Sequence, residues 1–390
     1  MMSKRKISII LCVITLLSPI LYANAKGDYS QKDYDNILIV VEGFLNSYEN
    51  VNLNKSSTAM DFEQFYLDFS LQNKLGQDNN LMPLVSSNIE FVKLLLLRRD
   101  IISNNSDSDL TEHNKKLSFK YLDYKISDIY ATLKVEVTKT WTYSFSPNIE
   151  SAAIDTYTIN LIYNNDSWDI ISVVGLADGF QDITLDKLKD SITQEERIVY
   201  LELFTKEFKQ LNNERKNEVT HTPLLTSSYD SLLSTNYALE YAINPNLDEY
   251  FDYTSLGGDC TNFTSQCLYE GGINMHYGEI YGTNCWFYLS DGNRSSSWTK
   301  ANIFKNYIYS NNSTIDVTSS NWSSVSNGDI IQLLSGDSAY HSLIITGIEY
   351  RSYGRYEIYV CAHTANRRHV ALSAYYPINV ATYHHIIGNK

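Results

Sequence analysis

The sequence predicts an α+β chain in two units, on three observations. Long apolar-periodic stretches near the N-terminus give way to runs that alternate apolar and polar residues. A second series of helices followed by strands fills the C-terminal third. The four cysteines beyond the N-terminal segment all fall in that second series. At 390 residues the chain is long for one ordinary domain. With 43% apolar and 19% charged residues it can build cores, which argues against disorder.

Residues 1–25 read as a secretory signal peptide. Lys4, Arg5 and Lys6 form a basic start, Ile7 to Tyr22 is an apolar run, and Ala23-Asn24-Ala25 has the small–any–small pattern of a cleavage site. The run is short for a membrane span and contains Pro19 near its end, and no other stretch is long enough to cross a bilayer. The formal charge is −14, and losing the basic start makes the chain more acidic. Phosphates repel such a surface, so nucleic acid is an unsuitable partner, as is a polybasic attachment to membrane. The 31 tyrosines are spread along the whole chain and mark no special surface.

Residues 26–180 form the expected N-terminal α+β accessory unit. "YDNILIVVEGFLNSYE" and "IEFVKLLLLRRDII" have helical periodicity. "YATLKVEVTKTWTYSF" alternates Leu133, Val135 and Val137 against polar neighbours, the pattern of a half-buried strand. "AAIDTYTINLIYNNDSWDIISVVG" predicts two strands joined at Asn164-Asn165-Asp166. This order, and the final hairpin with "SWDIISV", resembles the cone-shaped fold of the SnoaL-like and nuclear-transport-factor-like proteins. His113 sits in a polar stretch and is expected to be solvated. Residues 181–225 read as a helical connector, with one or two polar helices over 183–215 and a break near 220.

Residues 226–390 form the second unit. "YDSLLSTNYALEYAIN" predicts a helix ended by Pro245, and "DCTNFTSQCLYEGG" predicts a second one. Strands are expected at "GDIIQLL", "HSLIITGIEY", "YEIYVCAH" and "HHIIG". In the second helix Cys260, Phe263, Thr264, Cys267, Leu268 and Gly271 share one face. Asp259 is the expected N-cap, Gly257-Gly258 allow a tight entry, and Gly271-Gly272 supply a left-handed stop. A sulfur in the first turn feels the positive end of the helix dipole and free N–H groups, both of which favour thiolate. Cys260 is therefore the candidate nucleophile, and Cys267, two turns deeper, reads as core.

A thiol nucleophile needs a base, and the base needs a residue to orient it. His341 opens a strand at the mouth of the sheet and is the expected base. Alternation places Tyr359, Cys361 and His363 on one face, so His363 is the candidate third member, with Asn366 as the alternative. His369, His384 and His385 read as surface or terminal histidines. The cysteine spacings contain no C-x-x-C pair, so no metal is expected, and no cofactor either. Disulfides among Cys267, Cys285 and Cys361 stay open.

The stretch "YALEYAINPNLDEYFDYTSLGGDCTNFTSQCLYEGG" closely resembles the opening of the Putative amidase domain family of exported Gram-positive bacterial proteins. Trp286 with Tyr288, Ser297-Trp298, Gly328-Asp329, His341-Ser342 and Ala362-His363-Thr364 extend the resemblance over roughly 230–385. That family looks related to the CHAP and NlpC-type cell-wall hydrolases, with a papain-like fold. The resemblance implies a secreted or wall-associated thiol amidohydrolase with Cys260 as nucleophile and His341 as base. It implies a peptidoglycan or peptide substrate cut through a thioester. A binding module that kept the fold without the chemistry is the alternative. The backbone N–H of Cys260, with Tyr253, Asp259 and Asn262 around it, is the expected oxyanion and substrate region. Trp286 and Trp298 are expected either to wall the groove or to cover the core beneath a loop.

Overall fold

The computed structural model describes residues 31–50, 82–105, 110–144, 146–164, 166–176, 183–189, 191–216, 228–350, 356–375 and 381–390. The predicted signal peptide and the break near 220 lie outside the described residues. Helix α1 (Gln31–Asn50) buries Ile37, Val41, Phe44, Leu45 and Tyr48, one face at helical spacing. Helix α2 (Met82–Asn105) carries the "FVKLLLL" run and is buried on more than one side. Both pack against an antiparallel meander of β1 (Glu112–Ile126), β2 (Tyr130–Tyr143), β3 (Ser146–Asn164) and β4 (Ser167–Val174). In β2 the alternation is as expected, with Leu133, Val135 and Val137 buried.

Over 183–215 the structure has two helices, α3 (Ile183–Leu188) and α4 (Gln194–Lys216). Thr193 and Glu196 close a reciprocal capping box at the start of α4: each backbone N–H donates to the other's side chain. Arg197 then pairs with Glu90 at 2.7 Å and fixes α4 to α2.

The C-terminal region opens with α5 (Ser231–Tyr241), whose N-cap Asp230 accepts from the Leu232 and Leu233 N–H groups. Helix α6 (Cys260–Glu270) follows. A small hairpin, β5 (Tyr288–Ser290) and β6 (Asn293–Arg294), precedes α7 (Ser296–Thr299) and α8 (Ala301–Ile308). The sheet is made by β7 (Ile315–Ser320), β8 (Ile330–Ser335), β9 (Ser338–Tyr350), β10 (Tyr356–Ala362), β11 (Arg367–Ala371) and β12 (Ala381–Asn389). Gly272, not Gly271, takes the left-handed stop of α6, with φ +91. Gly271 is required for another reason: a Cβ there would lie 2.3 Å from the Tyr229 ring.

One ten-stranded sheet runs through both series, in the order β1-β2-β3-β11-β10-β9-β8-β12-β7, with β4 on β3. The junction is the antiparallel pair β3–β11, with Arg367 opposite Ala153 and Arg368 opposite Ala152. Arg367 also pairs with Asp155 at 2.6 Å, and Ser151 Oγ donates to the His369 carbonyl at 2.6 Å. Two buried clusters lie on opposite faces of the C-terminal strands. One, with Phe263, Ile344 and Cys361, sits under α5–α8. The other, with Leu333, Leu343 and Ile345, continues into the core of the N-terminal meander. Among the described residues no helix is long and apolar enough to cross a membrane.

His113 is exposed, as expected. His369, His384 and His385 are instead buried, each with a polar partner: Thr346, then Tyr309 and Gln332, then Asp329. His384 and His385 are neighbours in β12 and point to opposite faces, and both faces of the sheet are covered. Burial, then Arg368, lowers the His369 pKa to about 4, and burial, then Lys305, does the same for His384. Each is neutral in the folded chain but protonates near 6.5 once unfolded. The unfolded chain therefore binds more protons between about 4 and 6.5, and stability is lost as pH falls through that window. Each contributes up to about 1.4 kcal/mol per pH unit. The urea midpoint should drop clearly between pH 7 and pH 5; an unchanged midpoint would contradict the burial of these rings.

Candidate active site

Every residue from Cys260 to Leu268 is buried, so α6 is a central helix. Asp259 sits at its N-cap position but does not cap it. Its Oδ1 accepts from the Tyr253 N–H at 2.9 Å and from Asn262 Nδ2 at 2.8 Å, and its Oδ2 accepts from His363 Nδ1 at 2.7 Å. Two glycines with positive φ precede it, Gly257 at +117 and Gly258 at +131. The Asp259 N–H donates to Thr364 Oγ1 at 2.8 Å, and Thr364 itself holds φ +85. A threonine in that region is strained, and such strain concentrates at functional sites.

Because Asp259 bonds elsewhere, first-turn amides stay available to the sulfur. Cys260 Sγ lies 3.8 Å from Thr261 Oγ1, and the backbone N–H groups of Ser342 and Thr261 act on it to favour the thiolate. The Ser342 N–H is open because β10 ends its pairing with β9 at Cys361 opposite Ile344. A strand's N–H lies in the plane of the sheet. The sulfur is thus seated beside β9, at the edge β10 has vacated, one residue along from His341. Burial raises the Cys260 pKa and the neighbouring Asp259 charge adds to it, outweighing the amide donors. The expectation of a favoured thiolate is corrected here: desolvation exceeds the help of the helix start.

Alternation in β9 sends Ser342 toward α6, where it meets Thr261 Oγ1 at 3.0 Å. His341 leaves the other side of the strand, opposite Leu333. It is buried, and its Nε2 has no hydrogen-bond partner. Burial, then the Arg367 charge, lowers its pKa to about 3. No hydrogen bond joins His341 to Cys260. At rest the thiol and the imidazole are both neutral, and they lie on different sides of β9.

His363 does not hold His341. Its Nδ1 is on Asp259, its Nε2 donates to the Tyr241 carbonyl at 2.9 Å, and its ring stacks on Phe263 at 3.8 Å. Both ring nitrogens are spent on these partners, so neither reaches His341. Its place is to anchor Asp259, α5 and α6 to the end of β10. Asn366 is also engaged elsewhere: Nδ2 donates to the Ile243 carbonyl and its own carbonyl accepts from the Ile154 N–H. The ring beside His341 is Tyr375, at 6.4 Å between centroids, and its buried hydroxyl likewise has no hydrogen-bond partner. Sequence reasoning missed Tyr375, because it follows the last strand of the junction in a short 3-10 turn that carries no motif.

Trp286 and Trp298 are fully buried with rings 4.6 Å apart, donating to Ser265 Oγ and Asn262 Oδ1. Of the two roles expected for them, covering the core is the one their burial permits. Asn262 is spent on Trp298, Asp259 and the Phe251 carbonyl. Tyr253 is buried beneath the Arg294 guanidinium, 4.4 Å from the ring centroid. All four described cysteines are free thiols.

A cysteine at a helix start, set against the open edge of an antiparallel sheet, defines an α+β protein with a candidate thiol site. The comparison with known families gives the chemistry a class. Residues 228–386 match the family model described as "Putative amidase domain". The match supports an amidase-domain family for this part of the chain, and with it a hydrolase acting on an amide bond. No curated protein and no solved structure matches the chain.

Proposed function

We propose that the chain is a secreted cysteine amidohydrolase of a papain-like fold that cleaves an amide bond in peptidoglycan. The observation that carries this reading is the place of the Cys260 sulfur, in the first turn of α6 where Thr261 meets Ser342, the residue next to His341 in β9. Since thiol and imidazole are both neutral at rest, His341 takes the thiol proton as sulfur attacks the carbonyl carbon. The first-turn amides of α6 receive the oxyanion. The departing amine recovers the proton from His341, and water then hydrolyses the thioester to free acid and thiol. Substrate entry or a turn of the imidazole must bring His341 onto the sulfur. Export, a wall location of Gram-positive type, and an accessory role for a SnoaL-like cone at 26–180 belong to the same reading.

The test is mass spectrometry of peptidoglycan incubated with the full chain. Fragments gaining one water across an amide are expected. The missing Cys260–His341 hydrogen bond favours a second reading, a wall-binding module, which retention of the protein on intact wall without released fragments would select.

In this reading the Tyr375 hydroxyl, unbonded at rest beside the His341 ring, becomes the partner of His341 Nε2 when the imidazole turns onto the sulfur. Tyr375→Phe should lower kcat roughly tenfold, as loss of alignment does, and change the pH profile of kcat. His363→Gln should leave that profile in place and mainly lower thermal stability. The reverse pattern would return the orienting role to His363.

A further inference from the structure

The turn between β10 and β11, residues 363–366, is closed at its base by Ala362 opposite Arg367. Its polar side chains reach outward, to two different places. One end serves the thiol site. His363 Nδ1 lies 2.7 Å from Asp259 Oδ2, and Thr364 Oγ1 accepts from the Asp259 N–H at 2.8 Å. Gly258 passes so close that a Cβ there would lie 3.3 Å from Thr364 Oγ1. The residue after Asp259 is Cys260.

The other end is held by β3 of the N-terminal meander. The Asn366 carbonyl accepts from the Ile154 N–H at 3.0 Å. Arg367 Nη1 donates to the Ile154 carbonyl at 3.0 Å, and Nη2 donates to Asp155 Oδ1 at 2.6 Å. Arg367 is 8% exposed, so little water competes for this ion pair. The same guanidinium is the charge that acts on His341. One ion pair therefore joins the meander both to the support of the nucleophile and to the surroundings of the base. Closely packed segments pass a displacement from one end to the other, because protein interiors are nearly incompressible.

We infer that Asp155 is a positioning residue for the Cys260 site: through Arg367 it fixes the 363–366 turn, and the turn holds Asp259 and the start of α6 in place. The role rests on Cys260 being the reacting thiol of the proposed hydrolase. It gives the N-terminal meander a part in the chemistry. By balancing the Arg367 charge, Asp155 also lessens the opposition to a proton on His341 during turnover.

Iodoacetamide labelling of the full chain, with Cys260 followed by peptide mass mapping, reads the setting of the sulfur without turnover. Asp155→Asn should speed the labelling at least about threefold, since a freed turn uncovers the sulfur, and should lower kcat about tenfold with KM little changed. Thr364→Val, at the other end of the turn, should speed labelling too. The double variant should exceed the faster single one by little, because both act through one element. Glu150→Gln breaks the exposed pair with Arg368 across the same two strands and should label as wild type does. If the neutral variant does not fold, Asp155→Glu, which keeps the charge but displaces it, takes its place in the cycle. Wild-type labelling in the Asp155 variant, effects that multiply in the double variant, an equal effect of Glu150→Gln, or an unchanged kcat in an active chain overturns the role of Asp155. A wild type that never cuts peptidoglycan overturns the hydrolase reading instead, and the labelling cycle still decides this role.

Discussion

Replacing Cys260 by alanine is expected to abolish amide hydrolysis, a loss of at least about a thousandfold in kcat, with the fold retained. The covalent route has no substitute for the sulfur, because the residues nearest it, Thr261 and Ser342, are bonded to each other. The structural penalty is small: one sulfur is removed at the rim of the core, where Cys260 is 7% exposed. Product release read by mass spectrometry, with a melting curve alongside, separates the two effects. Full activity in the variant would end the thiol mechanism. The same burial predicts slow alkylation of Cys260 at neutral pH, speeding up as pH rises, unlike a pre-ionised active-site thiolate.

The second large effect is at His341, where activity and stability should part. His341→Leu is expected to lower kcat by about a hundredfold to ten-thousandfold, the range of a lost general base. It should also leave the chain as stable or more so, by roughly 1 kcal/mol, because it removes a buried nitrogen that has no partner. The gain should widen in acid. The native ring protonates only near 3, whereas an unfolded histidine protonates near 6.5, so wild type loses stability below that pH and the variant loses less. Chemical denaturation at two pH values, with kcat measured on the same preparations, gives both readings. A variant that is both active and destabilised would make His341 a packing residue.

The cysteine helix, its glycine-rich entry and the strands bearing His341 and His363 were legible because each is a local pattern. Apolar spacing of 3.6 or 2 shows which face a residue takes, and "GGDC" marks a helix start. The partners of those side chains were not legible. Sequence placed Asp259 as a cap and His363 as the support of His341. In the structure the two bind each other across 104 positions. Nor did spacing tell that Trp286 and Trp298 would stack inside rather than face a groove. Such choices depend on where two distant segments meet, and no local period encodes that.

By itself the sequence determined the α+β class, the helices and strands that carry the candidate site, and the first-turn position of Cys260. Only the tertiary structure decided that β3 and β11 join two series of strands into one sheet. It also set the Cys260 turn against β9 through Thr261 and Ser342, and left His341 buried with an open nitrogen. The physical reason is the reach of each interaction. Helix starts and strand alternation are settled within a few residues by backbone geometry, whereas sheet edges, desolvation and the field from Arg367 arise only when segments far apart in the sequence have packed together.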